Sequence, residues 1–94
     1  MPLFVIHCND KPDSLALRLA TRPEHLAYLK TATALRLAGP YLNTAGEPDG
    51  SMLIVEAEDE AAAQAFAAAD PYAKAGLFAS TSIRRWNHTV GQLP

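Results

Sequence analysis

The sequence predicts an α+β domain of the ferredoxin-like type, β-α-β-β-α-β: a four-stranded antiparallel sheet with both helices on one face. Two observations lead there. Runs of strand-forming residues fall at 3–8, 35–41, 51–57 and 77–86, with helix-forming stretches inside the first and last pairs. The two middle runs are joined by Gly46-Glu47-Pro48-Asp49-Gly50, which is hairpin-type turn chemistry rather than a helix. Two helical crossovers around one central hairpin are the split β-α-β arrangement.

Each element has its own warrant. In the first strand Leu3, Val5 and His7 share one face and Phe4, Ile6 and Cys8 the other, so both faces are apolar and both need cover. Residues 9–13 read as a turn, with Asp13 or Ser14 as helix cap. A helix through Ala34 would line up Leu15, Leu19, Leu26 and Leu29. Pro23 would then fall mid-helix, at a cost of about 3 kcal/mol. Thr21 followed three residues later by Glu24 is a capping-box pattern, and Pro23 suits a first turn. The expectation is therefore a kinked helix, or two segments meeting near Thr21, with His25 in the first turn of the second. Gly39-Pro40 marks the second strand as ending or lying at an edge. Asp59 caps the next helix, in which Ala62, Ala65, Phe66 and Ala69 share a stripe. Asp70-Pro71 ends it, because the residue before proline avoids helical angles. One further turn runs to Gly76, and residues beyond Trp86 form a tail.

Ninety-four residues make one domain, 1–94, near the small end of what supports its own core. The open sheet face has nothing from this chain to cover it, and a second copy, giving a homodimer, is the simplest cover. Eight basic against ten acidic residues, with no basic run beyond Arg84-Arg85, argue against nucleic acid as a partner. No apolar stretch approaches the roughly 18 residues of a membrane span, so no membrane partner is expected. A single cysteine and no evident signal peptide fit a cytoplasmic protein.

The candidates for chemistry are few. A histidine in a first helical turn meets the positive end of the helix dipole, which favours the neutral imidazole, a proton acceptor near neutral pH. On local sequence, a partly exposed histidine on a helix surface is the commoner explanation of His25. Asp70 before Pro71 is a common cap-and-first-position pair; the alternative is that its carboxylate orients His25. Arg18 and Arg22, four apart, present two charges to an anionic small molecule, although solvated helix arginines are the commoner case. Tyr72 is a further candidate to hold an anionic end. His7 reads as a packed strand residue, His88 as solvated and Cys8 as a small buried apolar group. Three histidines without an i, i+4 pair make a poor metal set. Ser51, Ser80 and Ser82 lack a nucleophile elbow, and no phosphate loop or dinucleotide fingerprint is present, so no cofactor is expected.

Arg22-Pro23-Glu24-His25-Leu26, Ala38-Gly39-Pro40, Gly50-Ser51, Asp70-Pro71-Tyr72, Ala75-Gly76-Leu77 and Arg85-Trp86, taken in order, resemble the YciI-like family across nearly the whole chain. The resemblance implies a ferredoxin-like domain that dimerises through its sheets into an α+β barrel. It also implies an acid–base pair of His25 and Asp70. Most members have no settled activity; a few related proteins are dehydrochlorinase-like or resemble lactone isomerases and act without a cofactor. Two classes follow. One is a cofactor-independent lyase- or isomerase-like enzyme using His25 and Asp70 on a small anionic or aromatic molecule. The other is a non-catalytic homodimer that binds a small ligand in the same cleft. The distance from His25 to Asp70 separates them.

Overall fold

A computed structural model describes residues 1–93. Its elements are β1 (Leu3–Asp10), α1 (Leu15–Lys30), β2 (Leu35–Leu42), β3 (Pro48–Glu56), α2 (Glu60–Ala69), α3 (Pro71–Lys74) and β4 (Phe78–Trp86). The four strands form one antiparallel sheet in the order β2-β3-β1-β4. The expected β-α-β-β-α-β order holds. Pro40, which has no N–H to donate, lies in the edge strand β2.

The core lies between sheet and helices. Phe4, Ile6 and Cys8 of β1 and Leu53 and Val55 of β3 are buried, and Leu29 of α1, Ala63 and Phe66 of α2, and Ile83 of β4 pack against or within that cluster. Residues from both long helices therefore cover the same sheet face. On the opposite face Leu3, Val5 and His7 are only half-buried. Burial pushes the Cys8 thiol up to about 11, and the Thr81 hydroxyl lies 3.9 Å from its sulfur. Among the described residues no helix is long and apolar enough to cross a membrane.

Several boundaries differ from expectation. Residues 9–13 are not all turn: β1 runs on through Asn9 and Asp10, because Asn9 pairs with Gly50 and Ser80 and Asp10 with Phe78. The central hairpin is shorter than expected. Asn43 closes it, its side-chain oxygen accepting from the N–H groups of Ala45 and Glu47, and Gly46 takes the left-handed conformation (φ 81°). Asp59 caps α2 as expected, accepting from the Ala62 N–H at 2.8 Å.

Both helices are rotated from the face expected, although Leu29 and Phe66 of the two expected stripes do pack on the core. Helix α1 is continuous from Leu15, so no helix starts at Thr21 and His25 does not sit in a first turn. Thr21 is buried and Glu24 exposed, and neither side chain makes a capping bond among the described residues. The helix tolerates Pro23 because Pro23 and Leu19 face solvent, where water can reach the carbonyl that loses its donor. Its buried stripe is Arg18, Thr21 and His25, whereas Leu19 is 55% exposed. In α2 the inward residues are Ala63, Phe66 and Ala67, and Ala62 and Ala65 are exposed. An alanine-rich helix fits both phases, and the phase adopted brings Asp70 inward.

At Gly50 the neighbouring strands β1 and β2 leave no room for a side chain. A Cβ there would lie 2.6 Å from the Cys8 carbonyl oxygen and 3.2 Å from the Tyr41 ring. Gly50→Ala is expected to destabilise the fold by about 1–3 kcal/mol through overpacking. Denaturant unfolding checks this, and an unchanged midpoint would mean that the strands part freely here.

Candidate active site

The buried stripe of α1 is polar, and burying a charge is unfavourable unless it is paired and hydrogen-bonded. Arg18, 4% exposed, finds its partners on the sheet. Its Nε donates to Asp10 Oδ2 at 2.7 Å, and its Nη2 donates to Asp10 Oδ1 at 3.1 Å and to Ser51 Oγ at 2.7 Å. The guanidinium carbon also sits 4.6 Å from the centre of the Tyr72 ring, a cation–π contact. Burial alone would disfavour the cation. The hydrogen bonds and charge of Asp10 outweigh it, and the Arg18 pKa is raised above its ordinary value.

Two turns further along the helix, His25 meets Asp70. His25 Nδ1 lies 2.8 Å from Asp70 Oδ1, and both side chains are buried. The same oxygen accepts from the Tyr72 backbone N–H at 2.9 Å. Oδ1 is thus an acceptor, the bridging proton belongs on Nδ1, and Nε2 is the nitrogen left for other chemistry. Local sequence accounts for this placement. Asp70 is extended (φ −61°, ψ 130°), as a residue before proline must be, and caps the short helix that starts at Pro71. That turn sets Tyr72 under the imidazole, with ring centres 3.9 Å apart and planes at 17°. The capping and pairing explanations for Asp70 were alternatives in the sequence; one carboxylate oxygen fulfils both.

Arg18, His25, Ser51 and Tyr72 border a cavity of about 260 Å³ whose apolar wall includes Leu26, Leu29, Pro40 and Leu53. Burial pushes the Tyr72 hydroxyl up, with Arg18 and Arg22 pulling against it. Arg22 borders the cavity from an exposed position and makes no ion pair among the described residues.

The structure therefore brings together four of the five residues singled out from sequence, His25, Asp70, Arg18 and Tyr72, with Arg22 at the edge. Arg18 is not a solvated helix arginine. Sequence reasoning missed Asp10 and Ser51. Asp10 was assigned to a turn, although it continues the period-two series Phe4, Ile6, Cys8 that faces the helices; Ser51 precedes Leu53 and Val55 in the same way. The other sequence candidates lie elsewhere. His7 is hydrogen-bonded through Nδ1 to the Tyr41 hydroxyl, with Leu3 and Val5 as its face-mates on β1. His88, expected to be solvated, is half-buried with its ring 5.7 Å from that of Trp86. Ser80 and Ser82 are exposed on β4. No group of three or more His, Cys, Asp or Glu among the described residues is arranged to hold a metal ion.

A ferredoxin-like sheet with a buried histidine–carboxylate pair beside a small cavity defines a class of small α+β domains. Within it, the YCII-related domain matches residues 2–87, and the chain belongs to that family. It is 43% identical to Protein YciI of Escherichia coli strain CFT073, over 87% of this chain and 93% of that protein. It is also similar to the solved structure of TftG, 5-chloro-2-hydroxyhydroquinone dehydrochlorinase of Burkholderia phenoliruptrix AC1100, in complex with 2,5-dihydroxybenzoquinone. That likeness has a TM-score of 0.86 at 39% identity, covering 93% of this chain and 95% of TftG. An antibiotic biosynthesis monooxygenase superposes at a TM-score of 0.59 and 12% identity, over 96% of this chain and all of its own, a likeness of fold alone.

Proposed function

We propose that the protein is a small cofactor-independent enzyme that moves a proton on a single-ring or similarly small organic anion. His25 is the acid–base group and Asp70 its orienting carboxylate. One observation carries this reading: Nδ1 of a buried histidine is held by a buried carboxylate while the residue borders a cavity with Nε2 uncommitted. Nε2 takes a proton from the substrate. The electron pair left behind is delocalised onto an oxygen, then either expels a leaving group or recovers the proton at another carbon. The outcome is lyase-like in the first case and isomerase-like in the second. Acid–base help of this kind is worth about 10²–10⁴-fold, enough for an activated ring but not for amide hydrolysis. The cavity is at or below the small end of the usual ligand pocket, about 300–1,000 Å³, which favours one ring. The likeness to TftG, solved with a dihydroxybenzoquinone, supports a hydroxylated ring as substrate. A binding protein without catalysis would tolerate a misaligned pair; the 2.8 Å contact favours the enzyme.

The test is turnover by chelator-treated protein on halogenated hydroquinones, lactones and small keto acids. Activity on at least one is expected to survive chelation. Activity that vanishes on chelation and returns with added metal sinks the reading.

The sheet face bearing Leu3, Val5, Leu37 and Met52 is only half-buried, which supports a homodimer formed through it. Sedimentation at micromolar concentration is expected to give twice the chain mass, and a monomer there would rule the dimer out. A lone buried Cys8 fits the reducing cytoplasm as its setting.

A further inference from the structure

The open face of the sheet, away from the helices, holds one histidine in an apolar setting. His7 shares that face with Leu3 and Val5 of β1, and the strand register places Met52 and Ile54 of β3 and Leu37 of β2 there too. His7 Nδ1 is hydrogen-bonded to the Tyr41 hydroxyl, although Tyr41 belongs to β2 and β3 lies between. Gly50 makes this reach possible. It pairs with Tyr41, and a Cβ there would stand 3.2 Å from the Tyr41 ring, so the ring lies over the bare backbone of β3. The Tyr41 and His7 ring planes are within 10° of each other. Both residues are half-buried in the single chain.

His7 can take a proton without losing this bond. The tyrosine hydroxyl donates to Nδ1 of the neutral ring; an imidazolium donates through Nδ1–H to the same oxygen. The fold is therefore indifferent to the proton, but a second copy of the chain is not. In the single chain the exposed part of an imidazolium keeps its water. Against the apolar face of a partner it loses that water, and burying an unpaired charge is unfavourable. Nothing on the face offsets this among the described residues. Tyr41 is neutral. Arg84 of β4, opposite Val5, is itself a cation and makes no ion pair. Glu56 of β3 lies in the row of Leu3, four residues beyond Met52, and is paired with Arg36 at 2.6 Å. Asp10 is engaged by Arg18 on the helix side of the sheet.

We propose that His7 makes the association of two copies through this face sensitive to pH, two neutral histidines being required for the dimer and protonation driving the copies apart. The switch rests on the homodimer reading of the face and adds its regulation. Four strands about 4.8 Å apart and about eight residues long give a face of roughly 500 Å², so a pair buries about 1,000 Å². That is about the least a specific interface needs, so the cost of two charges is not hidden by a large surplus. The sign follows from proton counts. The dimer binds fewer protons than two separate chains, so it is favoured above the range where a histidine ordinarily titrates, near pH 6.5, and is lost as pH falls through that range. One pH unit below it, each separate chain favours the protonated form by about tenfold, and two histidines per dimer multiply to at most about 100-fold in the dissociation constant.

The experiment is fluorescence-detected sedimentation of the full chain from nanomolar to micromolar concentration, at about pH 7.5 and about pH 5.5, one unit either side of the ordinary histidine range. The parent is expected to dimerise at the higher pH and to dissociate about 10- to 100-fold more readily at the lower, with an unchanged circular dichroism spectrum. The isoelectric point near 5.8 leaves little net charge at the lower pH, so general repulsion between copies does not produce this result. His7→Gln and His7→Phe, which carry no proton to gain, are expected to dimerise equally at both values. His25 and His88 are intact in both variants, so a pH dependence that persists in them lies elsewhere and overturns the proposal. A parent dimer with the same dissociation constant at both values overturns the switch and leaves the homodimer standing. A parent that is monomeric at the higher pH overturns both.

Discussion

On the proposed mechanism, turnover is expected to fall by about 10²–10⁴-fold when His25 is replaced by Ala, the usual worth of a positioned acid–base group. The expected loss is in kcat, because in the proposed mechanism Nε2 acts on the reacting position. Folding should suffer much less. His25 is buried, but the residues around it are anchored independently: Asp70 by the Tyr72 N–H, and Arg18 by Asp10 and Ser51. Added imidazole, small enough to enter the space left behind, should restore part of the rate. Steady-state kinetics on the parent and the variant check this, and undiminished turnover in the variant removes His25 from the chemistry.

The second large effect is expected at Asp70, and its size depends on which property of the side chain is removed. Oδ1 accepts both from His25 Nδ1 and from the Tyr72 N–H. An asparagine oxygen in that place accepts both bonds, so Asp70→Asn keeps the cap of α3 and the tautomer of the imidazole. It removes only the negative charge that, in the proposed mechanism, would face the imidazolium formed when Nε2 takes a proton. At an effective dielectric constant near 20, unit charges about 4 Å apart interact by about 4 kcal/mol, an upper bound for that stabilisation. A loss of roughly 10²-fold in turnover, with less than about 1 kcal/mol of stability lost, is the expected result. Asp70→Ala loses the cap as well and is expected to destabilise the protein by about a further 1 kcal/mol. Comparing turnover with unfolding free energy in the two variants separates charge from structure. If Asp70→Asn turns over at the parent rate, Asp70 is a cap and nothing more.

Much of this was legible before any coordinates. Strand-forming runs, a turn-rich central link and two helical stretches allow few other topologies. Pro40 can be accommodated only where no N–H is needed, which is an edge. Asp59 and Asp70 were readable as caps because capping is a local matter of a side chain and the next few N–H groups. His25 and Asp70 were named as a pair through the family resemblance, and they lie in contact.

What sequence reasoning could not supply was the rotation of each helix about its axis. Leu15, Leu19, Leu26 and Leu29 make a plausible apolar stripe, and so do Ala62, Ala65, Phe66 and Ala69. Periodicity counts apolar residues and assumes that they face inward. The helix α1 turns Arg18 and His25 inward instead. That orientation is stable only because Asp10, Ser51 and Asp70 wait there to pair with them, two from the sheet and one from the end of α2. The Arg18–Ser51 and His25–Asp70 partners are 33 and 45 positions apart, beyond any local pattern. The sequence by itself determined the order of the elements and where they stop, since those depend on neighbours in the chain. The tertiary structure alone decided which faces meet, because the stability of a buried charge is a property of the groups brought around it and not of the helix that carries it.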